Sequence, residues 1–168
     1  NIDDNGWGNL AEVFPVALGA ESGVQILWGG GTGASLVESW ASIPTTYQSQ
    51  VPILTLDRVL GSTLMGRKAL ILVDIEGAEY SMLQGAMKTL HSDPKHIWIV
   101  EITATQHQPE ATPINPRLLE TFQLFFNAGY TASMIDGERR VVEEQFVEIA
   151  AVTGQLGSSN FLFMPNLI

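Results

Sequence analysis

Two apolar runs of the sequence close on a carboxylate: Ala69-Leu-Ile-Leu-Val-Asp74 and His96-Ile-Trp-Ile-Val-Glu101. Runs of this kind read as strands buried on both faces of a parallel sheet, where ligands bind outside the carboxyl ends. Neighbouring strands stand ~4.8 Å apart, so Asp74 and Glu101 would then open onto one crevice. Glu76 falls in the turn beyond Asp74, Gly77 beside it lets backbone approach a ligand closely, and His107 follows on the loop after Glu101. Clustered carboxylates raise one another's pKa, so one could act as a base near neutral pH. Together they could instead hold a hard cation such as Mg²⁺. The plainer alternative is that Asp74 and Glu76 cap the helix that follows, and that His107 is a loop histidine. His91 and His96 stand at element ends and read as structural.

The elements that must position these residues are legible from period and punctuation. After Asp74, apolar positions Met82, Leu83, Ala86, Met87 and Leu90 recur at helical spacing until Ser92-Asp93-Pro94, with Glu79 in the first turn. Asn115-Pro116 reads as N-cap and first residue of a helix with apolar face Leu118, Leu119, Phe122, Phe125 and Phe126, and Gly129 ends it. Tyr130–Ile135 and Phe161–Met164 read as strands, joined by a connection long enough to carry structure or cover the site. Upstream, 13–18, 24–28 and 51–56 read as strands, Pro52 favouring a strand start or an edge, with a short helix at Ser35–Ala41. Strand–helix–strand–helix–strand from residue 69 onward predicts a parallel α/β sheet, and no boundary divides residues 1–168 into two domains.

Composition narrows the function. Eighteen acidic against eight basic residues give a net charge of −10, which repels phosphate backbones and anionic lipid. Nucleic acid and membrane are therefore not expected partners. Cysteine is absent, which excludes disulfides, thiolate zinc sites and a Cys nucleophile and fits a reducing compartment; the expected location is the cytoplasm. No apolar run approaches the ~20 residues that span a bilayer. The chain opens on Asn1-Ile-Asp-Asp4 without Met and is expected to be processed, excised or incomplete.

The stretch Leu72-Val-Asp-Ile-Glu-Gly-Ala-Glu79, with Leu83-Gln-Gly-Ala86 and Leu90 behind it, resembles the signature of FkbM-type methyltransferases, D-x-E-G-A-E then L-x-G-A. The similarity extends upstream through Ala17-Leu18, Gly23, Ser35-Leu36 and Val51 to Asp57. Downstream it continues through Val100-Glu101-Ile102, Gly129-Tyr130 and Asn160-Phe-Leu-Phe163 with Pro165. The resemblance implies a class I, Rossmann-like methyltransferase sheet of strand order 3-2-1-4-5-7-6, mostly parallel with a C-terminal antiparallel hairpin. It implies S-adenosylmethionine as cofactor and a hydroxyl on a small molecule or glycan as acceptor. Ala17 and Leu18 then lie beside adenine, Asp74 and Glu76 face the methyl group and substrate, and Glu101 and His107 stand behind them. Residues 13–18 correspond to the third strand and 69–74 to the fourth, so no ladder should join them. The family's Gly-rich cofactor loop would precede Asn1, and a chain without it is expected not to bind S-adenosylmethionine in the micromolar range. One residue departs from the motif: Leu72 stands where a Lys is usual, which bears on the substrate or on the tuning of Asp74.

Two other readings compete. Trp28-Gly-Gly-Gly-Thr-Gly33 follows an apolar run as a nucleotide-binding loop does, with Asp57 placed as a ribose acid. Under that reading Gly29–Gly33 hold the cofactor. A domain that keeps the fold and has lost the cofactor would be an interaction module without catalysis.

Overall fold

The computed structural model describes residues 2–166; Asn1, where the resemblance places a helix-end asparagine, lies outside them. Two sheets form. The first has three strands, β1 (Ala17–Leu18), β2 (Gly23–Trp28) and β3 (Gln48–Leu54), in the order β1-β3-β2. The second has five, β4 (Leu70–Val73), β5 (Ile97–Glu101), β6 (Tyr130–Met134), β7 (Val141–Val142) and β8 (Asn160–Pro165), in the order β4-β5-β8-β6-β7. Among the described residues no ladder joins β1 to β4, as the strand order predicts.

The second sheet is less parallel than expected. Only β4 and β5 pair in parallel; β5–β8, β8–β6 and β6–β7 are antiparallel. The reason is that β8 enters between β5 and β6 running against both, so the expected parallel neighbours are separated by an antiparallel strand. The long connection before β8 carries β7 and helix α5 (Glu144–Thr153).

Helix α4 (Leu118–Asn127) supplies the centre of the core. Leu118, Phe122 and Phe125 are buried, and Leu119 and Phe126 are partly so. Phe122 meets Phe161 edge-on at 4.9 Å between ring centroids, and Phe125 stacks on Phe163 at 3.7 Å. The helix starts later than Asn115-Pro116 suggest. Asn115 caps it from outside, accepting from the Arg117 N–H while its amide holds the Thr103 carbonyl. Gly129, at φ 78°, leaves it in the left-handed conformation.

The helix expected after Asp74 is broken into α2 (Glu79–Gln84) and α3 (Met87–Leu90). Gly85 separates them because the backbone of Gly19 approaches so closely that a Cβ there would strike its carbonyl oxygen. Met82, Leu83 and Ala86 are buried as the period predicts, but the break turns Met87 to solvent. Asp57, in the first turn of α1 (Leu56–Leu60), accepts from the Lys88 N–H, the Thr89 N–H and the Thr89 hydroxyl, and so caps α3.

The other departures lie upstream. Of residues 13–18 only Ala17 and Leu18 form a strand, and Val13 and Phe14 are exposed. Pro52 sits inside β3, the central strand, rather than at its start. It is tolerated because β1 faces only Ile53 and Leu54, so at Pro52 the strand has a neighbour on one side alone. No helix forms at Ser35–Ala41: Ser35 bridges Trp28, and Ser39 and Ala41 take left-handed backbone angles that end helical continuation.

Helices α2 to α5 all pack on the face of the second sheet that carries Trp98, Val100, Phe161 and Phe163. The opposite face is uncovered. Leu70 is 63% and Leu72 71% exposed, beside the half-buried Ile97 and Ile99, and no described strand pairs with the outer edge of β4. Among the described residues no helix is long and apolar enough to cross a membrane.

Candidate functional site

Parallel pairing of Val73 with Val100 sets Asp74 and Glu101 side by side at the carboxyl ends of β4 and β5. Their carboxyls are hydrogen-bonded to each other. Glu101 is pushed up to about 7 by its burial, then by that bond and by the charges of Asp74, Glu76 and Glu79. A protonated Glu101 donating to an ionised Asp74 satisfies both groups.

Glu79 is buried beside them. It accepts from the Gly77 N–H at 3.0 Å, and burial holds its pKa above the usual carboxylate range. The carboxylates do not cap α2 from outside as the plainer reading supposes: its N-cap, Ala78, makes no side-chain bond. Glu76 turns elsewhere. Its backbone is left-handed (φ 55°), its carbonyl accepts from the Ser35 hydroxyl, and its Oε2 accepts from the Trp40 indole N–H at 2.8 Å.

A cavity of about 270 Å³ opens at Asp74 and Glu76, lined also by Ala17, Leu18, Leu27, Thr32, Leu36 and Ala78. Apolar walls on one side and carboxylates on the other suit a group that joins a flat apolar ring to a positive charge. A second cavity, about 370 Å³, shares Leu36 and Ala78 with the first and continues past Trp40 to Tyr80, Gln84 and Gln108.

Of the predicted residues, Ala17, Leu18, Asp74 and Glu76 therefore meet at one cavity, with Glu101 bonded to Asp74 from the adjacent strand. His107 does not join them. Its ring lies 6.0 Å from that of Trp40 and its carbonyl accepts the Ala41 N–H, so the loop after β5 carries it to the Trp40 side. Leu72 alternates onto the same face of β4 as Asp74 and is exposed, so packing does not require leucine there. Among the described residues no group of three or more His, Asp or Glu side chains is arranged to hold a metal ion. His96 is buried, its Nδ1 accepting from the Ala69 N–H, and His91 bonds the Met87 carbonyl; both are structural.

The glycine loop departs from a nucleotide-binding one. Gly29–Gly33 lead only into a three-residue 3₁₀ turn, Gly31–Gly33, so no helix N-terminus faces a phosphate. Asp57 is committed to α3 and unavailable to a ribose. The residue that sequence reasoning missed is Trp40: its partners lie 36 residues or more away, and no local pattern points to them.

The model of the methyltransferase FkbM domain matches residues 5–132, and the chain belongs to this family. The matched span takes in both cavities' principal walls and ends within β6, before β7, α5 and β8. No match was found among curated proteins or among solved structures.

Proposed function

We propose that this domain takes part in S-adenosylmethionine-dependent O-methylation, with Asp74 as the group that receives the acceptor's proton. The observation that carries the proposal is the hydrogen-bonded Asp74–Glu101 pair at the carboxyl ends of two parallel strands, in a chain of the methyltransferase family. The cavity at Ala17, Leu18 and Asp74 fits the cofactor chemically. Its apolar wall suits adenine, and its carboxylates favour a cationic sulfonium. When bound, S-adenosylmethionine supplies a methyl carbon activated by positively charged sulfur.

The protein's own work is placement and proton handling. An acceptor hydroxyl of a small molecule or glycan must be held near ~3 Å from the carbon it attacks. As its oxygen bonds to the methyl carbon and the carbon–sulfur bond breaks, its proton passes to Asp74. Glu101, at about 7, changes protonation in the working range and shares that proton through its bond to Asp74. Metal ligation has no support in the side-chain arrangement, so the proton route is drawn through carboxyls alone.

The test is transfer of labelled methyl from S-adenosylmethionine to a panel of hydroxyl acceptors by the full-length protein. Asp74→Asn should lower turnover roughly 10²–10⁴-fold, the range general-base loss commonly gives, with unfolding unchanged. An Asp74→Asn protein as active as the wild type would reject Asp74 as the base.

A further inference from the structure

Among the described residues, six non-glycine positions have left-handed φ: Ser39, Ala41, Ser42, Glu76, His107 and Arg139. Five of them surround one side chain, the buried Trp40 indole. Ser39, Ala41 and Ser42 flank it in sequence, Glu76 accepts from its N–H, and the His107 ring leans on it. Left-handed backbone at residues with a Cβ is unfavourable and persists only where surrounding contacts fix it. Here the contacts are explicit. The Ser35 hydroxyl holds the Glu76 carbonyl, the indole N–H holds the Glu76 carboxylate at 2.8 Å, and the Ala41 N–H holds the His107 carbonyl at 2.8 Å. The benzene ring of Trp40 also lies against Gly77, where a Cβ would come within 2.5–2.9 Å of it. Gly77 itself stands at φ 93°, so that position is closed to side chains twice over.

Burial alone does not account for this arrangement. A tryptophan packed only for its bulk would be served by any neighbour of matching shape, whereas this one donates to a carboxylate whose own backbone is held left-handed. We propose that Trp40 is a positioning residue. Residues 35–42 form a strap across the turn after β4 and the loop after β5, and the Trp40–Glu76 bond is its fastening. By fixing the Glu76 carboxylate on the indole, the strap leaves Asp74 and Glu101 as the two carboxyls that share a proton. It also forms the partition where the two cavities meet at Leu36 and Ala78. The functional consequence rests on the O-methylation reading above; the fastening does not.

Amide hydrogen exchange of the full-length protein reads the fastening directly. Trp40→Phe keeps a ring against Gly77 and removes the donor; Glu76→Ala removes the acceptor; Glu76→Gln keeps an acceptor oxygen. Trp40→Phe and Glu76→Ala should each speed exchange at Ala41 by about tenfold, the factor that accompanies one hydrogen bond of ordinary net strength. Exchange across 105–108 should quicken with it, while amides of β5 and β8 hold their rates. Glu76→Gln should restore slow exchange. If Trp40→Phe does not fold, Glu76→Ala probes the same bond with the indole in place. Unchanged exchange at Ala41 in the variants that break the bond would overturn the proposal, as would Glu76→Gln loosening the strap as much as Glu76→Ala. In the methyl-transfer assay Trp40→Phe should lower kcat by about tenfold with KM for S-adenosylmethionine unmoved, as expected when only placement is lost. A wild-type protein that transfers no methyl group would sink the O-methylation reading while the exchange data still decide the strap.

Discussion

Replacing Glu101 by Gln should change how stability depends on pH, and the sign follows from the site. In the native state Glu101 is raised from 4.5 to about 7, by burial first and then by Asp74 and the charges of Glu76 and Glu79. The native protein therefore holds a proton that the unfolded chain has released over that interval. Stability from this group is fully present below about 4.5 and lost as pH rises through about 7. The full difference corresponds to an upper limit of about 3 kcal/mol. Because Glu101 is only partly buried, solvent screening reduces the expected loss to about 1–2 kcal/mol. Glutamine keeps the shape and a donor for Asp74 and cannot ionise. Urea unfolding at intervals from pH 4.5 to 8 should show the wild type losing about 1–2 kcal/mol relative to Glu101→Gln across that range. Taking the difference between the two proteins cancels the other titrating groups, such as Glu79 and the buried His96. Curves that stay parallel throughout would mean that Glu101 does not hold the proton and that the coupled pair is misjudged.

Two further outcomes test the frame that carries the site. Phe122→Ala should cost about 3–5 kcal/mol in urea unfolding, since the ring is fully buried between Phe161, Phe163 and Phe126. Asp57→Ala should cost about 1–2 kcal/mol and loosen α3 in hydrogen exchange, because three donors of Lys88 and Thr89 lose their acceptor.

The reach of the sequence followed the range of the interactions concerned. Asp74 and Glu101 were legible because each ends a run of strand-forming residues, and parallel pairing of such runs brings their ends together. The stripes of α2 and α4 were legible for the same reason, being written in local periodicity. Failures began where distant backbone intervened. Gly85 reads as a tolerable helix residue, and only the approach of Gly19, far upstream, makes it a break. Pro52 reads as an edge signal, and only the shortness of β1 lets it stand in a central strand. His107 follows Glu101 closely in sequence, yet the bond from Ala41 to its carbonyl ties it to the strap. Glu76 looked like a cap because capping is the commonest use of an acid before a helix. Its actual partner, Trp40, is supplied by a segment whose glycines suggested a phosphate loop instead. The antiparallel entry of β8 between β5 and β6 likewise depends on a long connection whose path no local signal specifies.

The most direct test of the account is where the product S-adenosylhomocysteine protects the full-length protein from amide hydrogen exchange. The account predicts slowed exchange at 16–18 and 74–78, the two segments that face each other across the smaller cavity. Protection at Gly29–Gly33 with 74–78 unchanged would contradict it, and would move the cofactor to the glycine loop.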